Sequence, residues 1–87
     1  MAKKIDVEVI VFPQQRCTVL NYRTRPASWE TGMVTDVTAS FSRDKKSYHL
    51  HYRVILDRRS TGKSRLHPNG GAPIFVTVGG KNSIKSF

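Results

Sequence analysis

The sequence predicts an all-β domain: a small barrel of five to six mostly antiparallel strands, with one long basic loop and a short C-terminal turn. Three observations carry this. From Ser47 to Leu56, Tyr48, Leu50, Tyr52, Val54 and Leu56 alternate with Ser47, His49, His51, Arg53 and Ile55, the period of two that a half-buried strand requires. No stretch of ten residues places apolar side chains at helical spacing. Finally, 87 residues cut by Pro and Gly into short extended segments must protect their sheet edges, which favours a barrel over an open sandwich.

The elements follow in order. Ile5 to Phe12 alternates at first, then becomes continuously apolar until Pro13 stops it, predicting an N-terminal strand at about residues 4–12. A polar Gln14-Gln15-Arg16 turn leads to a second strand, Cys17 to Tyr22, closed by the Pro26-containing stretch Arg23 to Ser28. Trp29 to Ser42 is rich in Thr, Val and aromatics and reads as a long strand kinked at Gly32. Val34, Val37, Ala39 and Phe41 cannot share one face under strict alternation, so a bulge is expected between Val34 and Val37. The polar residues 43–46 form a hairpin loop into the alternating strand, which places Tyr48 and Tyr52 in the core. Residues 57–72, with Arg58, Arg59, Gly62, Pro68 and Gly70, form a long loop of the kind that is usually functional or mobile. Pro73 to Val78 is the last full strand, with Phe75 placed in the core beside Phe41 and Phe12. The tail from Asn82 predicts one turn with Ile84 and Phe87 packed back on the body.

From Cys17 onward, Trp29, Gly32, Val34 and Val37 follow a W-x-x-G-x-V-x-x-V pattern, and a hairpin leads to Tyr48-x-Leu50-x-Tyr52-x-Val54 and a final strand at Ile74 to Val78. This order resembles the SH3-like small-barrel superfamily of Tudor and KOW type, over about seventy residues. The resemblance implies one SH3-like domain spanning residues 1–87, to which the N-terminal strand and the basic loop are additions. A Tudor-type reader would build a methylated-cation cage from Tyr22, Trp29 and Glu30, but a cationic surface repels cationic tails. A plasmid-type dihydrofolate reductase is similar in size and barrel type. Its Val-Gln-Ile-Tyr signature has no counterpart in Ile74-Phe75-Val76-Thr77, so the expectation is a non-enzyme.

Charge then narrows function. Fifteen Lys+Arg against six Asp+Glu give +9, a large field for a small body, and anionic partners are expected first. Residues 43–67 hold eight of the basic residues against Asp44 and Asp57, so most of the excess is local. The expected partner is nucleic acid, DNA or RNA, gripped at the phosphate backbone largely without sequence preference. Arg58, Arg59, Lys63 and Arg65 are the proposed phosphate contacts, supported by Arg23 and Arg25, with His49, His51 and Arg53 as an adjoining face. Tyr22 and Trp29 flank the loop at residues 23–28 and are the candidate stacking platforms. Six phosphate contacts would give a salt slope of roughly −5. The competing expectation is a protein partner or homo-oligomer, as in a phage or mobile-element component, joined through a barrel edge strand.

Other chemistry is thin. His49-x-His51 puts two imidazoles on one strand face, with His67 on the following loop and Cys17 as a fourth imaginable ligand, but His at i and i+2 on an outer face is more often polar decoration or a phosphate or base contact. Gly62-Lys63-Ser64 lacks the upstream Gly of a phosphate loop, position 57 being Asp. Neither a metal nor a cofactor is expected. The single Cys17 rules out an intrachain disulfide framework and fits a reducing, cytoplasmic setting. Asp6 and Glu8 break up the first apolar run, so neither a signal peptide nor a membrane partner is expected.

Overall fold

The computed structural model describes residues 8–44 and 46–87. Five strands, β1 (Arg16–Asn21), β2 (Ser28–Phe41), β3 (Tyr48–Arg59), β4 (Pro73–Gly79) and β5 (Ile84–Ser86), form one antiparallel sheet in the order β4-β3-β2-β1-β5. No helix among the described residues is long and apolar enough to cross a membrane.

Alternation sorts the sheet into two faces. Along β3, Leu50, Tyr52, Val54 and Leu56 are buried, Tyr48 is half-buried, and His49, His51 and Arg53 are exposed, as the period of two requires. Cross-strand register extends the buried face through Val34↔Val54, Val54↔Val76 and Tyr52↔Val78, then through Cys17 and Val19 of β1 to Ile84. These side chains and Val11 form the core.

The expected bulge is present. Val34 pairs with Val54, but Asp36 pairs with Arg53, leaving Thr35 as the extra residue. Thr35 Oγ1 donates to the Arg53 carbonyl at 3.1 Å, anchoring the irregularity. The extra residue returns Val37 to the inner face opposite Tyr52. Three residues earlier, Gly32 has a steric task. A Cβ there would overlap the Ile55 carbonyl oxygen and lie 2.9 Å from Val54 Cγ1, so only glycine lets β3 approach this closely.

Several expectations are corrected. The sheet is open: β4 and β5 are its edges, and no ladder joins them among the described residues. The bent β2 lets the sheet coil until β1 and β4 approach across the core, so the inner face is covered without hydrogen-bonded closure. Of the N-terminal strand predicted at about 4–12, residues 4–7 lie outside the described residues, and residues 8–12 form no strand. Val11 is buried, while Phe12 is 57% exposed. Phe41 is also 53% exposed, near the tip of the β2–β3 hairpin, with its ring 6.3 Å from that of Tyr48. Asp57, Arg58 and Arg59 extend β3, shortening the long loop to residues 60–72. The tail's turn at residues 80–83 leads into β5. Ile84 is buried there, but Phe87 stays exposed, with its ring 5.4 Å from the Arg16 guanidinium.

Candidate nucleic-acid interface

Antiparallel order decides which loops are neighbours. The β1–β2 loop (residues 22–27) and the β3–β4 connection (residues 60–72) leave the same end of the sheet, and the β2–β3 loop lies at the other. Arg23 and Arg25 therefore share an end of the sheet with Arg58, Arg59, Lys63 and Arg65.

Arg58 differs from the other five. Its Nε donates to Glu30 Oε1 and its Nη2 to Glu30 Oε2 at 3.2 Å, while Asn21 Nδ2 donates to Glu30 Oε2 at 2.7 Å. By alternation Asn21, Glu30 and Arg58 lie on the inner face, so this trio caps the core with satisfied polar groups. The Arg58 guanidinium, then Asn21, holds the Glu30 carboxyl below its ordinary range despite partial burial. Arg23, Arg25, Arg59, Lys63 and Arg65 are exposed and form no salt bridge among the described residues.

The loops themselves are braced. Asn21 Oδ1 accepts from the Arg23 N–H at 3.0 Å, and Thr24 Oγ1 donates to the Asn21 carbonyl at 3.0 Å. The tip of residues 60–72 is held by reciprocal backbone bonds between Ser64 and His67 at 3.0 and 3.2 Å. Cations on such loops lose less freedom when they meet an anion.

The remaining expected site residues divide. His49 and His51 pair with Ser40 and Thr38 of β2, on the outer face and toward the opposite end, away from the basic loops and from His67. Arg53 lies on the same face with its guanidinium 4.5 Å from the Phe75 ring centroid. Tyr22 is 61% exposed, with its hydroxyl 2.6 Å from Ser83 Oγ. Trp29 is 42% exposed on the outer face, with Lys85 Nζ 4.4 Å from its ring. A cleft of about 190 Å³ lined by Glu8, Tyr48, Tyr52 and Lys81 sits at the far end and carries charges of both signs.

Sequence reading missed three members of the outer face. Hydrophobicity places Phe75 in the core, but it shares a face with exposed Thr77 and pairs with Ile55, opposite to buried Val76. Counting alternation outward from Thr77 would have found it. The Arg16 guanidinium grips both carboxylate oxygens of Asp57, which also accepts from Thr31 Oγ1 at 2.8 Å. Arg16 and then Thr31 hold the Asp57 carboxyl below its ordinary range. Lys85 was missed because it joins this face only through the β5–β1 ladder. Comparison of the chain with protein-family models, curated proteins and solved structures gives no match, so the reading of this site rests on its own residues.

Proposed function

We propose that the protein is a non-enzymatic nucleic-acid-binding module that grips the phosphate backbone with the basic end of its sheet. One observation carries this reading: two braced loops at the same end present Arg23, Arg25, Arg59, Lys63 and Arg65 without acidic partners among the described residues. Guanidinium and ammonium groups so placed gain by releasing counterions from a polyanion. Trp29 and Phe75, each beneath a cation, add aromatic surface beside the patch. The sheet order, with its last strand returning to β1, supports kinship with SH3-like barrels.

Fluorescence anisotropy against short duplexes and single strands tests it. Five contacts predict a log–log salt slope of roughly −4.5 on duplex DNA, and Arg59→Gln with Arg65→Gln should remove about 1.8 of that. No binding at low salt, or a slope unchanged by both substitutions, refutes the proposal.

Assembly through an edge strand is favoured by a separate feature. Among the described residues β4 is an edge strand of seven residues, with no charged side chain and with its only proline at its first position, so little blunts pairing with another strand. A discrete oligomer by light scattering, in the absence of nucleic acid, would support it.

A further inference from the structure

The connection between β3 and β4 is a small arm of its own. At its base, the Ser60 N–H donates to the Ala72 carbonyl at 2.8 Å and the Gly71 N–H to the Ser60 carbonyl at 2.7 Å. Gly70 and Gly71, at φ 82° and 88°, turn the returning limb where side-chain-bearing residues would be strained. At its tip, the Ser64–His67 pair leaves Arg65 and Leu66 as a two-residue apex.

Arg65 and Leu66 hold the two central positions of this turn, neither at positive φ, a backbone conformation that most residues accept. Leu66 is 87% exposed. A lone exposed leucine is ordinary on a protein surface, but this one projects from the end of a braced arm. Lys63 and Arg65 precede it and His67 follows, and no acidic residue occurs from Arg58 to the end of the sequence.

We propose that this arm enters the minor groove of duplex DNA, with Leu66 wedged between base pairs and Lys63 and Arg65 on the flanking phosphates. The inference rests on the nucleic-acid reading above and adds the form of nucleic acid and the mode of contact. The minor groove, about 6 Å wide, admits a narrow apex, and its negative potential draws cations into it. An aliphatic side chain suits a wedge that unstacks one base step and kinks the duplex by roughly 20–90°. Single strands are instead held on aromatic platforms, and residues 60–72 contain no aromatic ring besides the His67 imidazole. Flexible pyrimidine–purine steps are the preferred positions, because they kink at least cost.

The test is energy transfer between dyes at the ends of a duplex of about 25 base pairs, with wild type, Leu66→Ala and a Lys63→Gln/Arg65→Gln double variant. Wild type should raise the transfer on binding. Leu66→Ala should keep its urea midpoint and salt slope, bind roughly tenfold more weakly and leave the transfer at the free-duplex value. The double variant should lose about 1.8 from the salt slope. Binding without a change in transfer, equal bending by Leu66→Ala, or preference for single strands overturns the wedge but leaves the nucleic-acid reading standing. No binding to any nucleic acid at low salt overturns both.

Discussion

Replacing Glu30 by Gln should move stability and nucleic-acid binding in opposite directions. Glu30 is the acceptor for Arg58 and for the buried Asn21, with its own side chain 15% exposed and that of Arg58 52% exposed. A charge-assisted hydrogen bond contributes about 1.5–3 kcal/mol net, and solvent screening at half-exposed Arg58 reduces this. Gln retains one carbonyl oxygen for Asn21, so the expected loss is about 1–2 kcal/mol, or roughly 5–10 °C in Tm for a domain of this size. The same substitution frees the Arg58 guanidinium at the basic end, and the duplex salt slope should steepen by about 0.9. Urea melts and anisotropy titrations on one preparation measure both. Acid adds a third readout. Because the folded protein holds the Glu30 carboxyl below its ordinary value of 4.5, the ion pair stabilises fully above that value. Its contribution is lost as pH falls through the lowered value, so wild type and Glu30→Gln should converge in acid. Unchanged stability at neutral pH, or a shallower salt slope, would refute the reasoning.

Four further outcomes follow from the packing. Gly32→Ala should cost at least about 1–3 kcal/mol by urea denaturation, since the new methyl overlaps the Ile55 carbonyl and crowds Val54; a loss below about 0.5 kcal/mol would contradict the close approach of β2 and β3. Tyr52→Phe should cost about 1 kcal/mol and speed hydrogen exchange at Ile10, whose N–H donates to the Tyr52 hydroxyl at 3.0 Å; unaltered exchange there would count against that bond anchoring the N-terminal segment. Val54→Ala, at a fully buried position, should cost about 2–3 kcal/mol. Phe75→Ala should cost only about 1 kcal/mol despite the larger side chain, and a penalty nearer the core range of 3–5 kcal/mol would return Phe75 to the core.

Much of the fold was legible because period-two alternation is a local property. The core face of β3, the bulge near Thr35 and the turn after Phe12 all follow from neighbouring residues and the pleat. That the two basic loops leave the same end of the sheet follows from antiparallel connection, which sends alternate loops to the same end. What was misplaced lies where local pattern is silent. Pro73 to Val78 is almost uniformly apolar, so only pairing with Ile55 and Val54 shows that Phe75 faces outward and Val76 inward. Phe12 and Phe41 were assigned to the core by hydrophobicity, but their positions lie beyond its reach.

The sequence by itself determined an all-β chain, the inner face of its central strand and the concentration of positive charge between residues 43 and 67, because composition and alternation need no knowledge of distant partners. Only the tertiary structure decided that the sheet stays open at β4 and β5, that Arg58 is paired with Glu30 while five neighbouring cations form no salt bridge among the described residues, and that Leu66 stands at the apex of a braced arm. Each depends on contacts between residues far apart in sequence, Glu30 with Arg58 and Ser60 with Ala72 among them. Such contacts are set by how the whole sheet coils over its core.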